Sequence, residues 1–199
     1  MLIGHDVSSL VTDRLCDEAP GRKMAVACFY FDFAVQKEQS STIMLGAVLK
    51  QVVSGLEEIP EEIVQAYEDH KKVIDGRGVQ LADIVNMLHT TASKKPTFIC
   101  IDALDECVAG YRAKVLDSFN LVLQRSPGTR MFVTGRPQIQ AEVEKRLSGR
   151  VMAIRITPRR DDIIGYLHSR LGEDTKPGAM DSSLRADILK KIPEEVSEM

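Results

Sequence analysis

Apolar residues fall along this chain in two rhythms. Spaced three or four apart, they mark helices: Val7, Leu10, Val11 and Leu15 for a short helix over Ser8 to Cys16, ended by Pro20-Gly21; Leu45, Val48, Leu49, Val52, Val53 and Leu56 for one that Ser40 or Ser41 caps. Glu61 to Lys72 follows Pro60 and is acidic early and basic late, as a helix dipole favours. Gly76 and Gly78 break the chain. Leu81, Ile84, Val85 and Leu88 mark a fourth helix, and Val115, Leu116, Phe119, Val122 and Leu123 a fifth, stopped by Ser126-Pro127-Gly128.

Packed without interruption, apolar residues mark buried strands instead. Met24 to Phe33 (MAVACFYFDF), Thr97 to Asp102 (TFICID), Arg130 to Thr134 (RMFVT) and Arg150 to Ile156 (RVMAIRI) give four. Gly135-Arg136-Pro137 turns the third strand into a helix that runs through Leu147. Thr157-Pro158 starts a helix buried at Ile163, Ile164, Leu167 and Leu171, and a Pro177-Gly178 loop precedes a last helix, Ser182 to Lys191. Strands alternating with helices predict an α/β fold, a parallel sheet with helices on both faces joined by right-handed crossovers.

The 199 residues can bury a core of one domain, with room for the start of a second, and no repeat of solenoid period is visible. A net charge of −3 without a basic block argues against nucleic acid as a partner. No apolar run reaches membrane-span length and no signal pattern opens the chain, so a cytoplasmic location away from membranes is expected. Cys16, Cys28, Cys100 and Cys107 contain no Cys-x-x-Cys pair; Cys28 and Cys100, inside strands, read as small core residues. His5, His70, His89 and His168 have no partner at ligand spacing.

Chemistry concentrates at one place. Asp102 closes the strand Thr97 to Asp102, and Asp105 and Glu106 follow on the loop, so three acids face the carboxyl edge of the sheet, where open parallel sheets bind ligands. A carboxylate there can hold Mg²⁺, usually through water, and a second one a few residues on can orient or deprotonate an attacking water. The plainer reading has Asp105 and Glu106 starting the next helix, which explains two acids but not Asp102.

The run FICIDALDEC resembles the Walker B segment of NACHT-type signal-transduction NTPases, and RMFVTGRP the strand and arginine of their sensor region. ACFYFDF, QSSTIMLGAVLKQVV and ITPRRDDIIGYLHSRL are similar to neighbouring segments of nephrocystin 3-like N-terminal domains, frequent in fungal NOD-like receptors ahead of ankyrin, tetratricopeptide or WD repeats. The resemblance runs from about Val7 to the C-terminus. It implies a P-loop NTPase-like core over 1–157 and the start of a helical region over 158–199. It also implies Mg²⁺ and ATP as cofactors, with Asp102 on the metal, Asp105 or Glu106 on the hydrolytic water, and Thr134 and Arg136 at the nucleotide, Arg136 sensing the γ-phosphate.

One part of the pattern is missing. No Gly-Lys-Ser or Gly-Lys-Thr occurs, and Gly4-His5-Asp6, a remnant in the right place, puts an acid where a phosphate loop needs lysine. The expectation is a truncated domain, without its first strand and phosphate loop, that does not hydrolyse ATP competently. Nucleotide state in an intact relative would switch closed and oligomeric forms, which makes related receptors the expected partners. Two rivals stand beside it: an inactive interaction module that docks onto full-length relatives, and a metal-dependent phosphohydrolase using the three acids with Asp32.

Overall fold

The computed structural model describes residues 3–72, 79–147, 149–156, 159–172 and 181–197. They form two compact units, Met1–Ala153 and Ile154–Met199. In the first, helix α1 (Ile3–Arg22) leads into strand β1 (Ala25–Tyr30), followed by α2 (Ser41–Ser54), α3 (Glu61–Lys72), α4 (Leu81–Ala92) and β2 (Thr97–Asp102). Then come α5 (Ala109–Arg125), β3 (Thr129–Val133) and α6 (Gln140–Arg146). The second unit holds α7 (Arg160–Gly172) and α8 (Ser182–Ser197) packed on each other.

The three strands form one parallel sheet in the order β1-β2-β3. Successive side chains of a strand point to opposite faces, and the register sets Ala27, Ile99 and Met131 in one row and Cys28, Cys100 and Phe132 in the next. The first face carries the core. Met44, Leu45, Val48 and Val52 of α2, Ile84 and Leu88 of α4, and Val115, Leu116, Phe119 and Val122 of α5 close over Ile99 and Ile101. Each such side chain contributes about 2 kcal/mol by leaving water. The stripes that predict these helices are the faces that bury, and Ser40 caps α2 as expected, its Oγ accepting from Ile43 N at 3.3 Å. On the second face α1 packs on β1 and β2. The fold is α/β, a parallel sheet with helices on both faces.

Two expectations are corrected. The helix over Ser8 to Cys16 extends at both ends, to Ile3–Arg22, with Pro20 in its last turn. The stop is Lys23, left-handed at φ 49°, with Met24 N donating to Ala19 O; this is the hydrogen-bonded turn a glycine usually supplies, shifted two residues past Gly21. Gly4-His5-Asp6 therefore belongs to the first turns of α1 and forms no loop. The second correction is the strand over Arg150 to Ile156, which joins no ladder and leaves Met152, Ile154 and Ile156 exposed. Its β-branched composition fits a sheet surface, but that preference is realised only against a neighbouring strand. Gly76 and Gly78, the Thr157-Pro158 start and the Pro177-Gly178 loop lie outside the described residues.

Candidate functional site

The carboxyl ends of the strands are held together by the acid that closes β2 and the two that follow it. Ile101 is fully buried and β2 has a neighbour on each side, so Asp102, next along the strand, lies at the sheet's centre with 1% of its surface exposed. Thr134 follows β3, and its Oγ1 donates to Asp102 Oδ1 at 2.5 Å while accepting from Ala103 N at 3.0 Å. The main chain reinforces the link: Thr134 N donates to Ile101 O, and Leu104 N to Thr134 O. On the other side, Phe31 N donates to Asp102 O at 3.1 Å.

Beyond Asp102 the chain must turn sharply to bring Asp105 and Glu106 back over the strand ends. Ala103 makes that turn in the left-handed region, φ 51° and ψ 45°, a conformation costing an L-residue about 1–2 kcal/mol. A 3-10 turn, Leu104–Glu106, follows, with Leu104 buried as its anchor. Both acids lie in the first turn of that 3-10 segment, and α5 begins only at Ala109, with no acid in its own first turn.

The two acids reach in opposite directions. Asp105, its side chain 7% exposed, accepts from Arg136 N through Oδ1 at 3.1 Å and pairs with Arg136 Nε through Oδ2 at 3.3 Å. Gly135 leaves room for this, since a Cβ there would stand 3.4 Å from Asp105 Oδ1 and 2.7 Å from Ile139 Cδ1. Glu106 crosses to the loop after β1, where its Oε2 accepts from Phe33 N at 3.0 Å. All five site residues read from the sequence, Asp102, Asp105, Glu106, Thr134 and Arg136, thus gather at one edge, as two pairs and one acid-to-backbone bond.

Arg112 of α5 has no signal in the sequence and organises the turn from beneath. Its Nη1 donates to Cys107 O at 3.0 Å and its Nε to Glu142 Oε2 of α6 at 2.8 Å. Burial pushes the neighbouring Cys107 thiol up to about 11, with the Arg112 guanidinium opposing and Glu142 adding to the rise.

Ser8 is a second residue that spacing alone does not disclose. Helix α1 hands directly to β1, so it lies antiparallel to the strands with its beginning toward their carboxyl ends. Thr12 and Cys16 influence the Cys100 thiol, whose pKa is raised first by burial. The four residues from Thr12 back to Ser8 rise about 6 Å, and two strand residues beyond Cys100 advance about 6.6 Å, which points Ser8 toward the sheet's carboxyl edge. Ser8 is 1% exposed, and its Oγ has no hydrogen-bond partner among the described residues.

A divalent cation held through water takes oxygen donors, and Asp102 is a buried carboxylate of that class. A direct all-protein cage does not arise: among the described residues no group of three or more His, Cys, Asp or Glu is arranged to hold a metal. Asp32, the further acid that a phosphohydrolase would use, is exposed and caps the 3-10 turn Phe33–Val35 by accepting from Ala34 N at 2.8 Å. Among the described residues no helix is long and apolar enough to cross a membrane.

No curated protein and no solved structure matches the chain. The family model "Nephrocystin 3, N-terminal" matches residues 7–136, from the second turn of α1 to the arginine paired with Asp105. By that match, which spans the whole sheet and every residue of the acidic edge, the chain belongs to the nephrocystin 3 N-terminal family.

Proposed function

We propose that this chain is a NACHT-like nucleotide-responsive switch domain that binds without competent hydrolysis. The observation that carries the reading is the Thr134–Asp102 hydrogen bond, which fixes a buried carboxylate at the centre of the sheet's carboxyl edge beside Arg136. In this reading Asp102 would hold Mg²⁺ through water, and the ion would supply charge neutralisation to the nucleotide's phosphates. Thr134 keeps the Asp102 carboxylate in one orientation. Arg136, its side chain 46% exposed, is the cation that meets the terminal phosphate.

The lack of turnover rests on the other two acids. Asp105 is held by Arg136 N and Glu106 by Phe33 N, so both carboxylates keep backbone bonds where a water-orienting base would have to stand open. No Gly-Lys-Ser or Gly-Lys-Thr is present to cradle the β- and γ-phosphates. Reset of the switch then comes from exchange of nucleotide.

Calorimetric titration with ATP and ADP in the presence of Mg²⁺ tests this. Saturable binding tighter than ~100 µM, lost in Asp102→Asn and without phosphate release, is the expected result. Asparagine keeps the shape of the buried side chain, so loss of binding in a chain that still melts cooperatively reports the charge. Absence of binding in a cooperatively melting wild-type chain overturns the proposal and leaves the inactive interaction module.

A further inference from the structure

Between β1 and β2 the chain forms three helices, and they are not held alike. Helices α2 and α4 pack on each other and on α5, with Leu45, Val48, Ile84 and Leu88 among their buried residues. Helix α3 makes only slight contact with any other element, and none of its residues from Glu61 to Asp69 is buried. A helix of 12 residues is marginal in water by itself, so an amphipathic one that buries nothing lacks the packing that usually stabilises it.

The gap between α3 and α4 is a cavity of about 240 Å³, ample for a long side chain. Ile63 and Ala66 of α3 and Met87 of α4 give it an apolar wall, and Glu62 and Asp83 stand at its polar side. Both carboxylates are exposed, and neither has a hydrogen-bond or ion-pair partner among the described residues. Apolar exposure continues outside the cavity, with Ile59 at 57% and Val64 at 42%. The surroundings repeat the charge. Residues 57–69 carry six acids and no lysine or arginine, more than the whole chain's net excess of three.

We infer that the groove between α3 and α4 is a docking site for a basic amphipathic helix of another protein. The aliphatic stems of its lysine or arginine side chains lie along Ile63, Ala66 and Met87, and their charged heads reach Glu62 and Asp83. Acids spread from Glu57 to Asp69 suit an extended partner; two carboxylates would be enough for a small cation. The inference does not rest on nucleotide binding.

Fluorescence anisotropy tests it, with the full chain titrated into a short labelled peptide of leucine and lysine at helical spacing. Micromolar binding is expected, weakened about tenfold or more in Glu62→Lys/Asp83→Lys. A peptide with glutamate for lysine, and one with its leucines moved out of helical spacing, are expected not to bind. Asp13→Lys/Asp17→Lys makes the same change of charge at exposed positions of α1 and is expected to bind as wild type does. Absence of binding overturns the inference. So does an equal loss in the α1 pair, equal uptake of the rearranged peptide, or displacement by spermine at matched concentration, which would mark a site for small cations. Should Glu62→Lys/Asp83→Lys fail to melt cooperatively, Ala66→Trp, which fills the cavity without changing charge and is expected to block binding, decides in its place.

Discussion

Replacing Thr134 by valine isolates the central link of the acidic edge. Valine has nearly the shape of threonine, so the packing beside Asp102 is kept while two hydrogen bonds go. The one to Asp102 Oδ1 is 2.5 Å long and made to a carboxylate 1% exposed, the class of bond worth about 1.5–3 kcal/mol. The other leaves Ala103 N without its acceptor, in a residue already held left-handed, for about 1 kcal/mol more. The expected loss is therefore about 3 kcal/mol, or roughly 6–12 °C in melting temperature for a unit of this size. Thr134→Ser keeps the hydroxyl and is expected to stay within about 1 kcal/mol of wild type. The chain has no tryptophan, so far-ultraviolet circular dichroism under denaturant is the suitable readout. A valine variant within 0.5 kcal/mol or so of wild type, or a serine variant as damaged as valine, would refute the reasoning that this hydroxyl organises the edge.

Two further outcomes follow from the same region. Cys107 titrates from about 9.0 when unfolded to about 11 when folded, so the native state holds its proton longer; stability is complete below pH 9 and falls between about pH 9 and 11, by up to ~2–3 kcal/mol. Cys107→Ala should flatten that decline in a denaturation series over pH, and an unchanged slope would show that another group carries it. Gly135→Ala drives a methyl to 2.7 Å from Ile139 Cδ1 and should cost about 1–3 kcal/mol, with Gly135→Ala/Ile139→Val recovering part of the loss in a double-mutant cycle; strict additivity would count against the contact.

Much of the first unit is legible because local signals and tertiary packing agree. Thr97 to Asp102 is apolar at its four inner positions since β2 is covered on both faces, and Ser40 caps α2 through atoms three residues apart. The segment Arg150 to Ile156 misleads for the opposite reason: its residues have strand character, but a strand is a relation between two segments and the sequence displays only one. Helix α1 misleads because Lys23, an ordinary lysine, adopts the conformation that stops it. At the site, Asp102 and Asp105 could be located from the end of a strand. The bond from Phe33 N to Glu106 spans 73 positions, and Arg112 acts through carbonyl groups, so neither leaves any pattern in the sequence.

The three carboxylates at the end of β2 and just beyond it each hold a different loop: Asp102 the end of β3, Asp105 the start of the turn after it, Glu106 the loop after β1. This edge behaves as a clasp with three fasteners. Under the proposed function, a phosphate that drew the Arg136 guanidinium away would leave Asp105 with the Arg136 amide alone, and a cation that took Glu106 would free Phe33 N, so occupancy would become slack in a particular loop. Hydrogen exchange at the Phe33 and Arg136 amides, each protected by one carboxylate, would register those releases separately. On that proposal such a surface would distinguish ligands by which loop it lets go, a signal that needs no bond in the ligand to be broken.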